Sequence, residues 1–443
     1  MATAVEQLAK NANWGALAKA TELKQRIFFV LCALIVYRIG TYIPIPGIDP
    51  VAWNAVFANK GGGILDMFNM FSGGAVNRMA IFALNIMPYI SASIIMQLGT
   101  AMSKKLTEMK KEGEIGRMRI NQYTRYLTVV LATVQAYGMA LALEASGSVI
   151  EPGLFFRIST VITIVGGTVF LMWLGEQITA RGVGNGISLI IFAGIVAELP
   201  RAIASVLELT YQGSFSGFAL FMLFVMVVAV IGLIVFVERA QRRIVVQYPK
   251  RQVGNKMSGG ETNHIPLKLN TAGVIPPIFA SSLLLLPLTV VGFAGITGSG
   301  FWSDVVRHLQ HGQPIFMILY AFLIAFFCFF YTAIVFNPEE NAETLRKYGG
   351  FIPGIRPGKN TADYFDYVLT RISVIGAIYL VFICLLPEFM IAKYNMSFYF
   401  GGTSLLIVVS VTMDTVAQIH SHLIAHQYEG LMKKSNKLRG RRK

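Results

Sequence analysis

The feature that most constrains this chain is a series of apolar blocks, each 16 to 24 residues long, spread along its 443 residues. A helix needs about 20 apolar residues to cross a bilayer, whereas a surface helix of a soluble protein is apolar on one face only. Charged residues make up 14% of the chain, against about 25% in a soluble domain. Only helices and closed barrels satisfy every backbone group in lipid, and the blocks lack the short alternating pattern of barrel strands. They therefore predict an all-α polytopic membrane protein.

Ten such blocks follow one another. They are Ile27–Ile43, Met79–Met102, Tyr123–Leu143, Phe155–Leu174, Ile187–Leu207, Phe218–Val237, Ala272–Gly295, Ile315–Phe336, Tyr367–Leu386 and Thr403–Gln418. The fifth is the weakest, because Glu198, Pro200 and Arg201 interrupt it. The first contains Arg38 and ends without a small-residue cleavage site, so we expect a retained span rather than a signal peptide.

Ten spans divide into two sets of five. If the two sets are duplicates, the odd number in each forces them into opposite orientations in the membrane. Internal sequence identity is not evident, so the inverted repeat is inferred from parity alone. The expected organisation is an N-terminal segment at 1–26, a first five-helix half at 27–210, a second at 211–418, and a basic tail at 419–443.

The distribution of basic residues tests the number of spans. With the N-terminus assigned to the cytoplasm, 31 of the 38 lysines and arginines fall on the cytoplasmic side and five on the other, with Arg38 and Arg78 left over. This asymmetry is what the positive-inside rule predicts, and one missed or extra span would invert half of it. The net charge of +15 is therefore mainly a topological signal, and we expect both termini in the cytoplasm.

A short apolar run precedes the second block. Three glycines at 61–63 lead into Ile64–Phe71, and Ser72, Gly73 and Gly74 follow. The run is too short to span a bilayer, and glycines on both sides make it a movable piece. Two interpretations fit: an interfacial helix at the membrane surface, or a re-entrant plug whose polar residues are tolerated because its cavity is wet.

Other functions leave weaker traces in the sequence. An ion-coupled transporter normally needs carboxylates or histidines within its spans, and Asp414, near a span end, is the clearest acidic candidate. An intramembrane enzyme would need a nucleophile with a base or paired carboxylates, and no such group appears within the blocks. His422 and His426 could share a helix face and bind a metal, but a solvated tail is the simpler interpretation. We therefore expect no catalytic residue, no metal site and no cofactor.

The three cysteines have no pairing pattern. Cys32, Cys328 and Cys384 each lie within an apolar block. We predict that all three are small buried hydrophobic residues, neither disulfide-bonded nor metal-binding.

Eight short strings carry a resemblance to a known family. They are YIPIPGID at 42–49, NMFSGG at 69–74, IFAL at 81–84, IMPYISAS at 86–93, GNGIS at 184–188, AGVIP at 272–276, PGIRPG at 353–358 and FYFGGTSLLI at 398–407. Any one string is weak evidence, but together, in this order, they are highly specific. On these residues the chain resembles the SecY family, the channel subunits of the bacterial Sec translocase. It departs from the family pattern at Asn85 and at Pro277, which could alter pore lining and a helix kink.

The resemblance implies an hourglass pore closed by a ring of aliphatic side chains. The positions that match are Ile86, Ile90, Ile187, Ile191, Ile278 and Ile407, here called the waist isoleucines. An apolar constriction blocks ions by dewetting and offers a moving chain no hydrogen-bonding site at which to stall. Isoleucine is stiff at χ1, which suits a defined gasket. Without the resemblance, isoleucines on such helices would be assigned to lipid or helix contacts.

The resemblance also assigns the plug and a lateral gate. The plug is the segment 64–74, whose members are Ile64, Leu65, Met67, Phe68, Met70, Phe71, Gly73 and Gly74. The lateral gate lies between spans 2 and 7, with spans 3 and 8 beside it. Its polar residues are Ser91, Ser93, Asn270, Thr271, Ser281 and Ser282. Such residues also make ordinary interhelical hydrogen bonds, but a seam held by few polar contacts suits a gate.

Two basic loops, 238–270 and 337–366, are implied docking sites for a ribosome or a motor. The implied contacts are Arg242, Arg243, Lys250, Arg251 and Arg356. Charge runs of this kind are usually solvated topology signals, but an arginine in a rigid Pro/Gly turn suits a phosphate or a carboxylate.

The function implied is that of a protein-conducting channel in the bacterial cytoplasmic (inner) membrane. It would pass unfolded preproteins across and release membrane segments sideways into lipid. A channel contains no energy source, so a translating ribosome, the SecA ATPase or the proton-motive force must drive transport. SecE and SecG are the implied membrane partners.

Overall fold

The computed structural model describes residues 21–60, 69, 72–211, 217–248, 251–253, 256–258, 262–293, 313–394 and 402–440. The helices in these ranges are α1 (Thr21–Gly40), α2 (Pro50–Lys60), α3 (Met87–Met102), α4 (Lys104–Lys111), α5 (Glu114–Ala145), α6 (Leu154–Arg181), α7 (Gly186–Tyr211), α8 (Gly217–Arg239), α9 (Ile275–Phe293), α10 (Pro314–Val335), α11 (Pro338–Lys347), α12 (Lys359–Tyr394) and α13 (Gly402–Gly440). The strands are β1 (Gln241–Gln247), β2 (Arg251–Val253), β3 (Lys256–Ser258) and β4 (Thr262–Lys268).

Each of the ten apolar blocks overlaps a helix within these ranges. In the described part of the chain, seven helices are long and apolar enough to cross a membrane, namely α5, α6, α7, α8, α10, α12 and α13. Of the other three, α1 carries four charged residues, α3 has only 16 residues, and α9 counts as a shorter apolar helix over Ile275–Leu284. A polytopic helical protein is thus supported, and the number ten stays a prediction.

The second predicted span begins later than the sequence suggested. The block starts at Met79, but residues 79–86 form turns and α3 begins at Met87. Met79 and Asn85 have positive φ angles of 45° and 48°, which a right-handed helix does not allow. Pro88 then occupies the first turn of α3, where its missing N–H leaves no intrahelical bond unmade. Hydropathy alone could not detect this start, because the turn residues are also apolar.

The long helices contact one another within two consecutive sets and along two seams between the sets. In the first set, α5 contacts α3 and α6, and α6 contacts α1 and α7; in the second, α10 contacts α9 and α12, and α13 contacts α8 and α12. Along one seam, here called the gate seam, α9 contacts α3 and α5. Along the other, the back seam, α13 contacts α1 and α7. A single apolar core runs through both sets.

A small β-containing domain lies between α8 and α9, so the all-α prediction is incomplete. Strands β1 and β4 form an antiparallel pair from Gln241 opposite Lys268 to Gln247 opposite Thr262, and β2 pairs with β3. The buried face of β1 packs on α11 and α12 through Ile244, Val246 and Phe365. The strands were not predicted from the sequence because they are short and rich in polar residues.

One of the three cysteine predictions is wrong. Cys328 and Cys384 are buried and Cys32 is exposed, and all three thiols are free. Cys32 lies beside the exposed Phe28, Leu31 and Ile35 on the outward side of α1. Membrane helices turn apolar side chains toward lipid as well as toward neighbouring helices, so an apolar setting did not imply burial within the chain.

Candidate channel and gate

The waist isoleucines all belong to one apolar cluster. Ile86, Ile90, Ile191 and Ile407 are buried, and Ile187 and Ile278 are partly buried against the same core. They come from both sets of helices: Ile86 directly before α3, Ile90 in its first turn, two from α7, and one each from α9 and α13. A spacing of four residues puts Ile187 near Ile191 on one face of α7, and the Ile90 N–H donates to the Ile86 carbonyl at 3.1 Å. An apolar cluster is thus assembled from elements on either side of both seams.

Two local features position members of this cluster. Asn85, directly before Ile86, is buried in a left-handed conformation with φ of 48°, which asparagine tolerates better than most residues. Its side chain hydrogen-bonds with Tyr37 of α1. Ile187, by contrast, lies against α6, where its Cγ1 would be 3.3 Å from a Cβ added at Gly175. The glycine therefore lets α6 and the start of α7 approach closely.

The gate seam is closed by apolar packing. Ser91, Asn270, Ser281 and Ser282 are buried there or beside it, whereas Ser93 and Thr271 are partly buried. Their hydrogen bonds stay on their own side: Gln97 donates to Ser93 at 3.3 Å, and Ser281 donates to the Ile278 carbonyl at 3.0 Å. Among the described residues, none of the bonds of these six side chains joins α3 to α9.

Asn270 ties the start of α9 to its own set of helices. Its Nδ2 donates to Glu238 Oε1 at 2.7 Å and to the Gly273 carbonyl at 3.1 Å. Thr271 donates to the Lys268 carbonyl. These hydrogen bonds of Asn270 and Thr271 therefore hold the segment before α9 and do not cross the gate seam. Pro277 lies in the first turn of α9, where proline is tolerated without a kink. The departure from the family pattern at this position therefore needs no altered helix path.

The end of the predicted plug segment is held by several contacts. Gly73 and Gly74 have φ angles of 65° and 83°, which favour glycine. The Tyr37 hydroxyl donates to the Ser72 carbonyl at 3.3 Å, and Arg38 Nη1 donates to the Gly73 carbonyl at 2.6 Å. The remaining predicted plug residues, Ile64, Leu65, Met67, Phe68, Met70 and Phe71, lie outside the described residues.

The two basic loops form one unit. Gln247 at the end of β1 and Phe351 exchange backbone hydrogen bonds of 2.8 and 2.9 Å, which joins the β1–β4 pair to the turn at 350–358. Arg242 and Arg243 are exposed on β1. Lys250 lies outside the described residues, and for Arg251 the structure describes only its place in β2.

Arg356 lies on a turn with a defined backbone. Gly354 and Gly358 have φ angles of 83° and 111°, which restrict these positions to glycine. The Thr361 hydroxyl donates to the Arg356 carbonyl at 3.0 Å, while the Arg356 side chain is exposed. A fixed backbone with one outward guanidinium suits recognition of an anionic partner.

Charged residues inside the first and fifth blocks, Arg38 and Glu198, lie close to Arg78, which precedes the second block. Arg78 Nη2 lies 3.7 Å from Glu198 Oε1 of α7. Arg38 and Arg78 flank the Tyr42 ring, with guanidinium carbons 5.0 and 4.0 Å from its centroid. Charges inside apolar blocks are expensive and therefore point to function, so this signal was present in the sequence without its partner being apparent.

Solved structures share this arrangement of helices. One is described as "The plug domain of the SecY protein stablizes the closed state of the translocation channel and maintains a membrane seal"; it aligns with a TM-score of 0.65 and 20% identity over 90% of this chain and 92% of its own. Another, "Sec61 in the Canine ribosome-channel complex from the endoplasmic reticulum", aligns with a TM-score of 0.61 and 18% identity over 90% and 92%. The fold is therefore that of the translocation channels.

Sequence similarity narrows this class to a family. The SecY family model matches residues 80–416. The Protein translocase subunit SecY of Rickettsia conorii is 57% identical over 418 residues, which cover 93% of this chain and 96% of the relative. This chain belongs to the SecY family. The resemblance carried by the eight strings is thereby confirmed.

Proposed function

We propose that this chain is the channel subunit of a bacterial protein translocase. It conducts unfolded polypeptide across a membrane and releases apolar segments sideways into lipid. The observation that carries the proposal is the 57% identity to a protein translocase subunit across nearly its whole length. The family is one of channels, so the chain itself supplies no catalysis, and an external partner supplies the energy.

The proposed path runs through the waist isoleucines. They line the narrowest point, where apolar side chains exclude water when the channel is idle. An extended polypeptide passes between them because aliphatic side chains offer it no hydrogen bond. Their shared apolar cluster and their origin in both sets of helices support this assignment.

The proposed exit to lipid is the gate seam between α3 and α9. Among the described residues, none of the hydrogen bonds of the six gate side chains crosses it, and it is closed by apolar contact. An apolar segment of a substrate can therefore replace α3–α9 contacts with similar contacts of its own, at small cost in free energy. A polar segment cannot, and it continues through the waist.

The segment 64–74 is proposed to be a re-entrant plug that seals the idle channel. A plug that stabilises the closed state is described for a protein of the same fold. The anchored carbonyls of Ser72 and Gly73 would hold its end in position. The interfacial helix remains the alternative for this segment.

The proposed setting is the bacterial cytoplasmic membrane, with ten spans in two inverted halves of five and both termini in the cytoplasm. The proposed partners are SecE and SecG in the membrane, and SecA or a ribosome at the β1–β4 unit and the turn at 350–358. A ribosome–channel complex is described for Sec61, which has the same fold. The exposed Arg242, Arg243 and Arg356 supply the positive charge that phosphate or carboxylate groups of such partners require.

Site-directed crosslinking of a trapped substrate tests the path. Cys32 is exposed and is replaced first by serine, while Cys328 and Cys384 are buried and stay. Single cysteines then go to the six waist isoleucines, and matched controls go to Ile35 and Phe322, which are 60% and 65% exposed on outer helix faces. A preprotein carrying one cysteine is stalled halfway by a folded C-terminal domain.

We expect disulfide crosslinks from the stalled chain to the waist positions and none to the two outer controls. Crosslinks at Ile35 or Phe322 with none at the waist would mean that the substrate travels outside the bundle. The transporter alternative is tested in the same vesicles, because it predicts small-solute flux coupled to an ion gradient and no preprotein uptake.

A further inference from the structure

The turn at 72–78 accepts hydrogen bonds from side chains of α1 and α2. Besides the bonds from Tyr37 and Arg38 to its carbonyls, Trp53 Nε1 donates to the Val76 carbonyl at 3.0 Å. Within the turn, Asn77 N–H donates to Asn69 Oδ1 at 2.9 Å. These contacts all come from the first set of helices, close in sequence to the turn itself.

The contact with α7 is of a different kind, because it joins the turn to a distant helix through charge. The Arg78 guanidinium lies 3.7 Å from the Glu198 carboxylate, with side chains 27% and 6% exposed. The backbones also meet closely: a Cβ at Gly73 would lie 3.0 Å from Gly194 Cα, and a Cβ at Gly74 would overlap Glu198 Oε1. Glycine at both positions therefore lets the turn sit directly on α7.

Among the described residues, the ion pair of Glu198 is with Arg78. Beside Glu198 is a cavity of about 250 Å³ between α7, α8 and α13. Its walls are mostly apolar and include Leu199, Val227 and Leu405, with Ser404 as a polar member. Arg38 is a second cation in the neighbourhood, because both Arg38 and Glu198 act electrostatically on the Tyr37 hydroxyl. A buried carboxylate in such surroundings depends on its partner cation.

We propose that Arg78 and Glu198 form a latch that positions the turn at 72–78 on α7 in the closed channel. Because α7 contributes Ile187 and Ile191 and forms part of the back seam, the turn cannot separate from α7 without breaking the latch. The pair thus sets part of the threshold that a substrate must overcome to open the channel. This inference rests on the proposed channel function and assigns both residues a positioning role.

The two partners contribute unequally. Without Arg78, the buried Glu198 carboxyl loses its partner cation, and the closed state becomes unfavourable relative to any state that lets water reach the carboxyl. Without Glu198, Arg78 remains partly exposed and stacked on Tyr42. Removing Glu198 therefore destabilises the closed state less than removing Arg78 does. Removing both charges leaves no uncompensated carboxylate. A latch based on charge therefore predicts that removing the Glu198 charge partly restores the closed state that is lost when Arg78 is replaced.

The test measures anion efflux from vesicles that contain the full chain in its translocase complex. Compared with the unmodified chain, we expect Arg78→Gln to raise the leak about tenfold and Glu198→Gln about threefold, which is less than breaking a fully buried pair would give, because the Arg78 side chain is 27% exposed. The double variant should leak less than Arg78→Gln alone. Arg201→Gln and Glu208→Gln, at exposed positions of α7, are the matched controls and should leave the leak unchanged.

A second readout is uptake of a preprotein with a shortened signal segment, which should rise in Arg78→Gln and return toward the unmodified level in the double variant. Single variants with an unchanged leak, or a double variant that leaks as the sum of both, would overturn the latch. The unmodified chain is also assayed with an intact preprotein. Failure there would overturn the channel function, whereas normal uptake with unchanged leaks would overturn the latch alone.

Discussion

At the scale of single residues, Ser282 shows how a seam can be closed and yet easily opened. Its side chain is buried, and its hydroxyl has no hydrogen-bond partner among the described residues. A buried polar group left unsatisfied costs about 1–3 kcal/mol. Opening the gate seam would let water or a substrate satisfy the hydroxyl, so we expect Ser282 to favour the open state.

Replacing Ser282 with alanine should therefore stabilise the closed gate by about 1 kcal/mol. Lateral release of a marginally apolar segment should fall about fivefold, since a free-energy change of this size alters an equilibrium to that extent. The measurement is membrane insertion of a graded series of segments in reconstituted vesicles. Ser281→Ala is the matched control, because the Ser281 hydroxyl is already bonded within its own helix. Equal insertion by Ser282→Ala and the unmodified chain would contradict the argument.

Residue identity and residue placement were predictable to different degrees. The waist isoleucines were predicted from short strings and their role stays a prediction, whereas only the structure showed that Ile187 packs against Gly175. Asn85 was evident as a departure from the family pattern, and its left-handed backbone explains why asparagine suits the position. Backbone conformation and side-chain direction depend on neighbours that are distant in sequence, which no local pattern contains.

At the scale of elements, the segment 64–74 is proposed to leave the channel when a substrate enters. Its last residues are anchored at Ser72 and Gly73, next to the late start of α3 at Met87. A short apolar segment held at one end by hydrogen bonds can leave a cavity without disturbing the spans. This element should therefore be dispensable for folding and needed for sealing.

Deleting residues 64–74 should increase ion leakage severalfold while the protein still inserts and binds its membrane partners. The measurement is single-channel conductance in planar bilayers. A matched control deletes Lys433–Lys443, which has the same number of residues. A second variant deletes only residues 64–71 and so keeps the contacts of Ser72 and Gly73. If both internal deletions left the conductance unchanged, the segment would be an interfacial helix.

Elements outside the membrane were the least predictable. Hydropathy located a helix in all ten apolar blocks, because crossing a bilayer imposes length and composition on a helix. The pairing of β1 with β4 had no comparable signal, since strands in a solvated domain need only a few buried residues such as Ile244 and Val246.

At the scale of the whole molecule, two sets of helices meet at a gate seam and a back seam, and a separate unit lies on one side. That unit joins β1 to the turn at 350–358, although they are about a hundred residues apart in the chain. A partner bound to this unit contacts segments that lead directly into α9 and α12. Force or binding energy from the partner can therefore reach the helices along the chain itself.

Replacing Arg356 with glutamate should abolish motor-driven transport without unfolding the channel, because a like charge placed against an anionic partner costs several kcal/mol. The measurement is ATP-dependent preprotein uptake with added SecA, alongside the melting temperature of the purified complex. Lys347→Glu makes the same change of charge at a site that is 71% exposed in the same unit and should transport normally. Normal uptake by Arg356→Glu at normal expression would contradict a docking role.

The sequence by itself determined that this chain is a helical membrane protein, where its apolar helices lie and to which family it belongs. These properties follow from composition and from short strings, which can be interpreted without knowing which residues are in contact in the folded chain. Only the tertiary structure decided that α9 packs on α3 and α5, with no hydrogen bond of a gate side chain joining α3 to α9 in the part of the chain that the structure describes. It alone showed that two basic loops form one unit and that Arg78 meets Glu198. Each of these joins residues far apart in the chain, and their contact energy depends on burial and distance, which arise only when the helices pack.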